Sequence, residues 1–380
     1  MSAPWDLVIV GAGPAGSAAA LGALTGRPDL RVLLLDRSDF PRDKACGDGI
    51  APHVLDVLAA VGVTGLLDDR AGVDVLELRQ GDTEVVRSMS RAAWVVPRTV
   101  FDHRLVEAAV LAGAELRRHR VRTVATEDGL VVLDGTIRAR VVVGADGAHS
   151  LVRGAVGLRP GRRQALALRG YAPTPPARAG RQVIVFGATR QPSYAWSFDS
   201  GDGLSNVGYG ELVRDGRTAP RQEMLAQLER LLPGSTLDGA GWRGHHLPLS
   251  SWPYRQPDGP ILLTGDAGCL VNPMTGEGIY YAVATGVLAG RAAVSALTRG
   301  NGRDAGALHR AAVRALLGRH LAHTSVVSRL VSVPRVVAAG VRAAARDQRV
   351  FDDLVEIGLG QGLVTPRVVR GLLVRGLSGR

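Results

Sequence analysis

The sequence is poor in cysteine, lysine and aromatic residues. Only two cysteines, Cys46 and Cys269, occur in 380 residues, which excludes a disulfide framework and a four-cysteine metal site. Such sparse cysteine is typical of a cytoplasmic protein. The adjacent His245 and His246 have no acidic or cysteine companions at ligand spacing, so the sequence predicts no metal site.

Lysine is almost absent, because Lys44 is the only one and arginine carries nearly all of the formal net charge of +11. A basic balance of this kind can favour nucleic acid, an anionic membrane surface or an anionic substrate. The arginines are scattered and form no basic patch interleaved with aromatics. The sequence therefore argues against a nucleic-acid partner.

The longest uncharged stretch near the start, from Leu7 to Gly26, superficially resembles a membrane span. Its glycines and Pro14 fall at the positions of a nucleotide-binding fingerprint, and no basic segment precedes it as in a signal peptide. We therefore expect no transmembrane segment here.

The fingerprint itself consists of a strand, a glycine-rich turn and a helix. An apolar run at 6–10 is typical of a buried parallel strand, and Gly11, Gly13 and Gly16 follow it directly, before a helix-favouring run at 17–21. The first glycine permits a tight turn, the second lets a pyrophosphate approach the backbone, and the third lets helix and strand pack closely. The positive end of the helix then faces the phosphates.

A second apolar strand at 31–35 ends in Asp36, which lies 20 residues after Gly16. A carboxylate at this distance is expected to accept hydrogen bonds from a ribose. An acid here argues against a bound 2′-phosphate, although Arg37 beside it leaves that point open. The segment predicts nucleotide binding and does not distinguish FAD from NAD.

Two later glycine–aspartate elements favour FAD. Apolar strands at 141–143 and 261–264 lead into Asp146 and Asp266, so each delivers a carboxylate to the edge of the sheet where ligands bind. The hydroxyls of a flavin's ribityl chain need such acids, whereas NAD does not. The alternative is that both aspartates only cap the helices that follow them.

The segment after Asp266 contains Pro273, Gly276, Gly278 and Ile279 and precedes an alanine-rich helix. Its glycines are expected to bring backbone N–H groups at a helix start against a flat or anionic group. Reduced flavin carries negative charge near N1 and O2, so this segment is where that charge would be stabilised.

Together these residues resemble the geranylgeranyl reductase family, within the flavoproteins that share the p-hydroxybenzoate hydroxylase fold. The most specific part is the Cys-Gly-x-Gly loop at 46–49, which covers the flavin in that family. The resemblance implies that Cys46, Gly47 and Gly49 contact FAD and that Arg98, after Val-Val-Pro, reaches the cofactor. The remaining cofactor contacts that we predict are Ala15 and Val121.

Three aromatic residues alternate at Tyr194, Trp196 and Phe198, so in a strand they point to one side. This face is either an ordinary packed sheet surface or the wall of a substrate site. The resemblance favours the wall, because the family has Pro-x-x-Tyr-x-Trp-x-Phe-Pro beside the flavin. Here Asp199 replaces the last proline, which leaves the local turn and the substrate preference open. Asn206 is the other predicted substrate contact.

The predicted fold is α/β, a Rossmann-like FAD-binding domain with an inserted antiparallel-sheet substrate domain and a C-terminal helical region. We assign 1–74, 98–159 and 251–300 to the first domain, 75–97 and 160–250 to the second, and 301–380 to the third. Segments at 326–346 and 365–380 alternate apolar and basic residues. They form either a helical cap with a solvated face or a surface for an anionic bilayer, where each basic residue contributes about 1 kcal/mol. The glycines at 358–362 lack a preceding strand and predict a turn.

The resemblance implies reduction of an isolated carbon–carbon double bond in an isoprenoid or terpenoid substrate. FAD is the expected cofactor, and NAD(P)H or a ferredoxin would donate electrons transiently. Cys46, Tyr194 and a flavin-bound water are the candidate proton donors, and Trp196 completes the predicted catalytic residues. The alternative is a flavin monooxygenase that hydroxylates or epoxidises a hydrophobic substrate. The expected location is the cytoplasm, with peripheral membrane contact left open.

Overall fold

The computed structural model describes residues 3–161, 163–188, 191–214 and 216–376. The strands are, in chain order, β1 (Trp5–Val10), β2 (Val32–Asp36), β3 (Gly49–Ile50), β4 (Val73–Gln80), β5 (Thr83–Val95), β6 (Glu115–Arg118), β7 (Val124–Glu127), β8 (Leu130–Leu133), β9 (Ile137–Gly144), β10 (Gln164–Pro173), β11 (Arg181–Phe186), β12 (Ser193–Asp199), β13 (Leu204–Leu212), β14 (Ala240–Pro248) and β15 (Ile261–Leu263). The helices are α1 (Pro14–Leu24), α2 (Pro52–Ala59), α3 (Arg98–Leu111), α4 (Leu151–Ala155), α5 (Arg221–Leu231), α6 (Ile279–Thr298), α7 (Ala305–Leu330), α8 (Pro334–Arg346), α9 (Gln348–Leu359) and α10 (Pro366–Gly376).

The first sheet has the strand order β6-β2-β1-β9-β8-β7, with β15 also paired to β9. The pairs β1–β2, β1–β9, β2–β6 and β9–β15 are parallel. The carboxyl ends of β1, β2, β9 and β15 therefore meet at one edge, where a doubly wound sheet binds its ligands. This arrangement brings the three glycine–aspartate elements together, although they are far apart in sequence.

Helices α1 and α6 pack against each other at very close range. A Cβ added at Gly286 would lie 2.3 Å from the Ala15 carbonyl oxygen, and one at Gly290 would lie 2.1 Å from the Ala19 carbonyl oxygen. Side chains at these positions would push the helices apart. The contact places the start of α6 beside the first glycine turn.

The second sheet has the strand order β14-β10-β13-β12-β11-β4-β5-β3. It is antiparallel as predicted except at β4–β11, which pair in parallel. The short β3, from the segment assigned to the nucleotide domain, also joins it. Alternate residues of the sheet, such as Val183, Ala195 and Val207, pack with Met224 and Leu228 on α5. The other face is therefore available to line a cavity.

The C-terminal helices cover part of this free face. Val341 and Ala344 on α8 and Phe351 on α9 share an apolar cluster with residues of β4 and β5. Arg87 on β5 donates to the carbonyl oxygens of Ala344 and Ala345. The predicted C-terminal helical region is thus confirmed. At 358–362, where the sequence predicts a turn, Gly358 and Leu359 end α9 and the chain bends after them. The end of the predicted basic segment, 377–380, lies outside the described residues.

Helix α6 is long and apolar enough, by length and composition, to cross a membrane, but 78% of the tested stretch is buried inside the protein. The segment Gly302–Leu330 passes the same test together with α8, although the two are bent by 117° at their break. The stretch from Leu7 to Gly26 forms β1, the glycine turn and α1, all within the core. Burial of this kind is typical of core helices.

Candidate active site

One cavity of about 1020 Å³ joins the ligand-binding edge of the first sheet to the free face of the second. This volume is at the upper end of the range for small-molecule and cofactor sites. The residues predicted from the sequence that line it are Gly11, Gly13, Ala15, Asp36, Arg37, Cys46, Gly47, Gly49, Arg98, Val121, Asp146, Tyr194, Trp196, Phe198, Asp266, Gly276, Gly278 and Ile279. Gly16, Pro273 and Asn206 are not part of the lining.

The first glycine turn is held against the neighbouring strand. Gly11 has φ of +101°, and a Cβ there would lie 2.3 Å from the Ala145 carbonyl oxygen. A Cβ at Gly16 would lie 1.8 Å from the Gly11 carbonyl oxygen, so this glycine serves helix–strand packing and not the cavity surface. The start of α1 therefore opens directly onto the cavity, as a pyrophosphate site requires.

Asp36 lies at the end of β2 and supports the same turn. One carboxylate oxygen accepts the Ala12 N–H at 2.9 Å, and the other accepts the Ser38 N–H at 3.0 Å. Arg42 approaches it to 3.7 Å. Asp36 thus orders the glycine turn while its side chain still faces the cavity. These residues fit the adenosine half of a dinucleotide.

The other two aspartates differ in their roles. Asp146 accepts the Ser150 hydroxyl and the N–H groups of Leu151 and Val152, so it caps α4, and it also lines the cavity. Asp266 instead forms an ion pair of 3.1 Å with Lys44. Burial alone would raise the pKa of Asp266, but Lys44 and His245 outweigh it and hold the pKa well below its usual range. Asp266 is therefore an ionised, cavity-facing carboxylate.

Arg98 lies at the start of α3 with its guanidinium paired to Asp102 at 2.5 and 2.8 Å. Arg42 reaches the same carboxylate at 3.2 Å. Burial would lower the pKa of Arg98, but Asp102 outweighs that effect and the pKa lies above its usual value. Within the described part of the chain, no group of three or more His, Cys, Asp or Glu side chains is placed to hold a metal ion.

Tyr194, Trp196 and Phe198 point to one side of β12, and their rings form a continuous wall. The Tyr194 and Trp196 ring centroids are 5.8 Å apart, and those of Trp196 and Phe198 are 6.4 Å apart. The Cys46 loop closes on this wall, because a Cβ at Gly47 would lie 3.5 Å from the Phe198 ring. The three aromatic side chains therefore line the cavity, and their contact with a substrate stays a prediction.

The sequence predicts that Asn206 contacts the substrate, but in the structure Asn206 is not part of the cavity lining. It lies on β13 opposite Phe198, so its side chain shares the face of the sheet that carries the wall. It is fully buried there beneath the Cys46 loop, where its amide donates to the Cys46 carbonyl oxygen at 2.9 Å and to Asp48 at 2.8 Å. Asn206 therefore holds the Cys46 loop against the sheet.

The two side chains predicted as proton donors are poor acids in this setting. Burial raises the pKa of the Cys46 thiol above its usual value. Burial also raises the pKa of Tyr194, and the Tyr194 hydroxyl donates to the Thr275 carbonyl oxygen. The Tyr194 proton is therefore already engaged with the backbone.

The apolar half of the cavity was not predicted from the sequence. These lining residues come from β4, β11 and the C-terminal helices; among them are Leu76, Leu78, Ile184, Phe186, Leu330, Val336, Val337, Val341, Leu354, Val355, Ile357 and Leu372. The available signal was the alternation of apolar and basic residues after 326. This pattern predicts an amphipathic helix, but it does not identify the surface against which the apolar face packs. Glu277, inside the glycine segment, was also missed.

The chain is similar to several known proteins. The FAD binding domain family model matches residues 5–325. A menaquinone reductase of Mycolicibacterium smegmatis is 31% identical over 93% of this chain and 90% of that protein. A digeranylgeranylglycerophospholipid reductase of Methanopyrus kandleri is 33% identical over 77% of this chain and 81% of that protein.

The fold is also similar to a solved structure. A geranylgeranyl bacteriochlorophyll reductase-like protein from Thermoplasma acidophilum superposes with a TM-score of 0.80, covering 98% of each chain at 18% identity. With the glycine turn, the acid after β2 and the start of α6 all at one cavity, the chain belongs to the FAD binding domain family.

Proposed function

We propose that this protein is an FAD-dependent reductase of isolated carbon–carbon double bonds in an isoprenoid chain. The observation that carries the proposal is one continuous cavity, whose nucleotide-binding end and apolar end meet at the aromatic wall of β12. When bound, reduced FAD supplies a hydride. The chain's own residues must hold the cofactor, align the double bond and keep water away.

Three parts of the first domain would hold the cofactor. The glycine turn and the start of α1 would receive the pyrophosphate, because the N–H groups and the dipole at a helix start favour anions. Asp36, at the end of β2, would accept hydrogen bonds from the ribose. Gly276 lies against the Tyr194 hydroxyl at the wall, and the positive end of α6 would stabilise negative charge on the isoalloxazine ring there.

The substrate chain is held by the apolar end. Side chains from β4, β11, α8 and α9 surround it, among them Leu78, Ile184, Val341 and Leu354. An isolated double bond offers little charge for the protein to stabilise, so orientation and exclusion of water must supply much of the rate. An aromatic and aliphatic chamber is suited to both.

The named relatives support the isoprenoid substrate class. Menaquinone and digeranylgeranylglycerophospholipid both carry isoprenoid chains, and both relatives are reductases. The electron donor in our proposal is NAD(P)H or a ferredoxin that binds transiently.

We also propose that the protein works in the cytoplasm at a membrane surface. Four exposed apolar side chains form a rim at the C-terminal helices, namely Val326, Leu330, Val333 and Val369. Leu330 and Val369 also line the cavity, so the rim is continuous with it. The exposed Arg329, Arg335 and Arg370 lie in the same segments and match an anionic bilayer.

The function is tested by reducing the purified flavoprotein with dithionite under argon and adding geranylgeranyl and menaquinone-type substrates. We expect flavin reoxidation without air and a product heavier by two hydrogens. Reoxidation only after air is admitted, with a product heavier by one oxygen, would instead establish the monooxygenase.

A further inference from the structure

Glu277 is a carboxyl group at the cavity between the two glycines that precede α6. One carboxylate oxygen accepts the Tyr280 N–H at 2.9 Å and so caps the helix. The side chain lines the cavity. The carboxyl is therefore anchored at one oxygen and faces the cavity.

The segment that carries Glu277 touches the aromatic wall. A Cβ added at Gly276 would lie 3.2 Å from the Tyr194 hydroxyl, and that hydroxyl donates to the Thr275 carbonyl oxygen. The segment is held from the other side, since the Asn272 amide donates to the Ile357 carbonyl oxygen at 2.8 Å. Glu277 is thus fixed where the nucleotide-binding and apolar ends of the cavity meet.

The titratable groups that interact with Glu277 come from four elements: Arg98 on α3, Cys46 in its loop, Tyr194 on β12 and Tyr281 on α6. Burial raises the pKa of Glu277 to about 7, because the N–H groups of Tyr280 and Ile279 and the charge of Arg98 offset it only in part. A neutral carboxyl group is therefore well populated near pH 7.

We propose that Glu277 is the proton donor in the double-bond reduction, an inference that rests on the proposed function. The carboxyl O–H bond breaks, and a C–H bond forms at the alkene carbon that does not accept the hydride supplied by reduced FAD. The O–H electron pair stays on Glu277 as a carboxylate, and water restores the proton. Hydride and proton together convert C=C into CH–CH, so the step balances.

A spectroscopic test reads Glu277 directly in the purified flavoprotein without substrate. We expect the infrared difference between the protein and Glu277→Gln to contain the C=O stretch of a neutral carboxyl, lost as pH rises through about 7. A carboxylate spectrum throughout, from about pH 5 to pH 9, would overturn the assignment.

A kinetic test uses the same variant. The side-chain amide of Glu277→Gln still offers an oxygen to the Tyr280 N–H, so FAD occupancy should match the wild type. We expect single-turnover reduction to slow by about 10²- to 10⁴-fold. We expect the wild-type rate to fall as pH rises above about 7, because Glu277 loses its proton there, and we expect the variant to lack this fall. Glu223→Gln, in the first turn of α5, is the matched control and should leave rate and pH profile unchanged.

The outcomes separate the two proposals. If the wild type reduces the substrate and Glu277→Gln does so at the same rate with the same pH profile, the role of Glu277 is wrong and the reductase remains. If the wild type reduces none of the isoprenoid substrates and inserts oxygen instead, the proposed function is wrong, and the proton-donor role falls with it.

Discussion

The indole N–H of Trp196 donates to the Asn206 side-chain oxygen at 2.8 Å. The amide of the same asparagine donates to the Cys46 carbonyl oxygen and to Asp48. One buried side chain therefore connects the aromatic wall to the loop that closes on it. The orientation of the wall and the position of the loop depend on each other through Asn206.

Replacement of Asn206 by alanine should destabilise the protein by about 2 to 4 kcal/mol, because it leaves the Trp196 N–H and the Cys46 carbonyl oxygen without partners in the interior. Urea unfolding measures the change. Gln222→Ala, at an exposed position of α5, should change the free energy of unfolding by less than about 0.5 kcal/mol. Equal stability of the two variants would contradict the connecting role of Asn206.

Gly208→Ala should displace the Trp196 indole. The added Cβ would lie 2.2 Å from the Trp196 ring and 2.5 Å from the Leu168 carbonyl oxygen, and overpacking of this kind costs about 1 to 3 kcal/mol. Thermal unfolding and product formation measure the two effects. Gly210→Ala, whose Cβ would approach nothing closer than 3.8 Å, is the control on the same strand. Indistinguishable behaviour of both variants would show that the wall tolerates the shift.

Asp36→Ala should weaken FAD binding by about 10- to 100-fold, because the Ala12 N–H loses its acceptor and the glycine turn loosens. Flavin occupancy after purification and titration of the apoprotein measure it. Asp39→Ala removes an exposed carboxylate that pairs with Arg118, and it should retain FAD normally. Full occupancy in Asp36→Ala would count against the placement of the ribose here.

The free energy of unfolding should fall as pH rises from about 4 to 7, in part because of Asp48. Burial raises the pKa of this carboxyl from 3.8 to about 6, so the stability of the protonated folded form is lost as pH rises through about 6. The loss is on the order of 3 kcal/mol. Asp48→Asn should show a flatter pH dependence in urea titrations, and asparagine tolerates the φ of +60° at this position. If the free energy of unfolding depends on pH in the same way in the wild type and in Asp48→Asn, Asp48 does not cause the loss of stability.

Val326→Asp and Val333→Asp should weaken binding to vesicles that contain phosphatidylglycerol, since both side chains are exposed at the rim. Co-sedimentation measures the bound fraction, and added salt should lower it further. Leu237→Asp, at an even more exposed leucine elsewhere in the chain, is the matched control. If all three variants bind as the wild type does, the rim is not the membrane contact.

Local sequence rules predicted the nucleotide end of the site well. The spacing of Gly11, Gly13 and Gly16 and the acid at the end of β2 follow from the geometry of one strand, turn and helix, so the sequence carries them without reference to distant residues. The alternation of Tyr194, Trp196 and Phe198 likewise predicted their shared face from the period of a strand alone.

The tertiary structure decided the remainder, because it depends on which distant groups meet. The carboxylates of Asp146 and Asp266 follow similar strands, yet one caps α4 and the other pairs with Lys44, just before the Cys46 loop. Asn206 lies on the same face of the sheet as Phe198 because β13 pairs with β12 in that register, and the Cys46 loop covers it there. The apolar end of the cavity forms only when α8 and α9 pack over the second sheet. The raised pKa of Glu277 likewise depends on the packing of α6, since burial and neighbouring charge are properties of the folded chain.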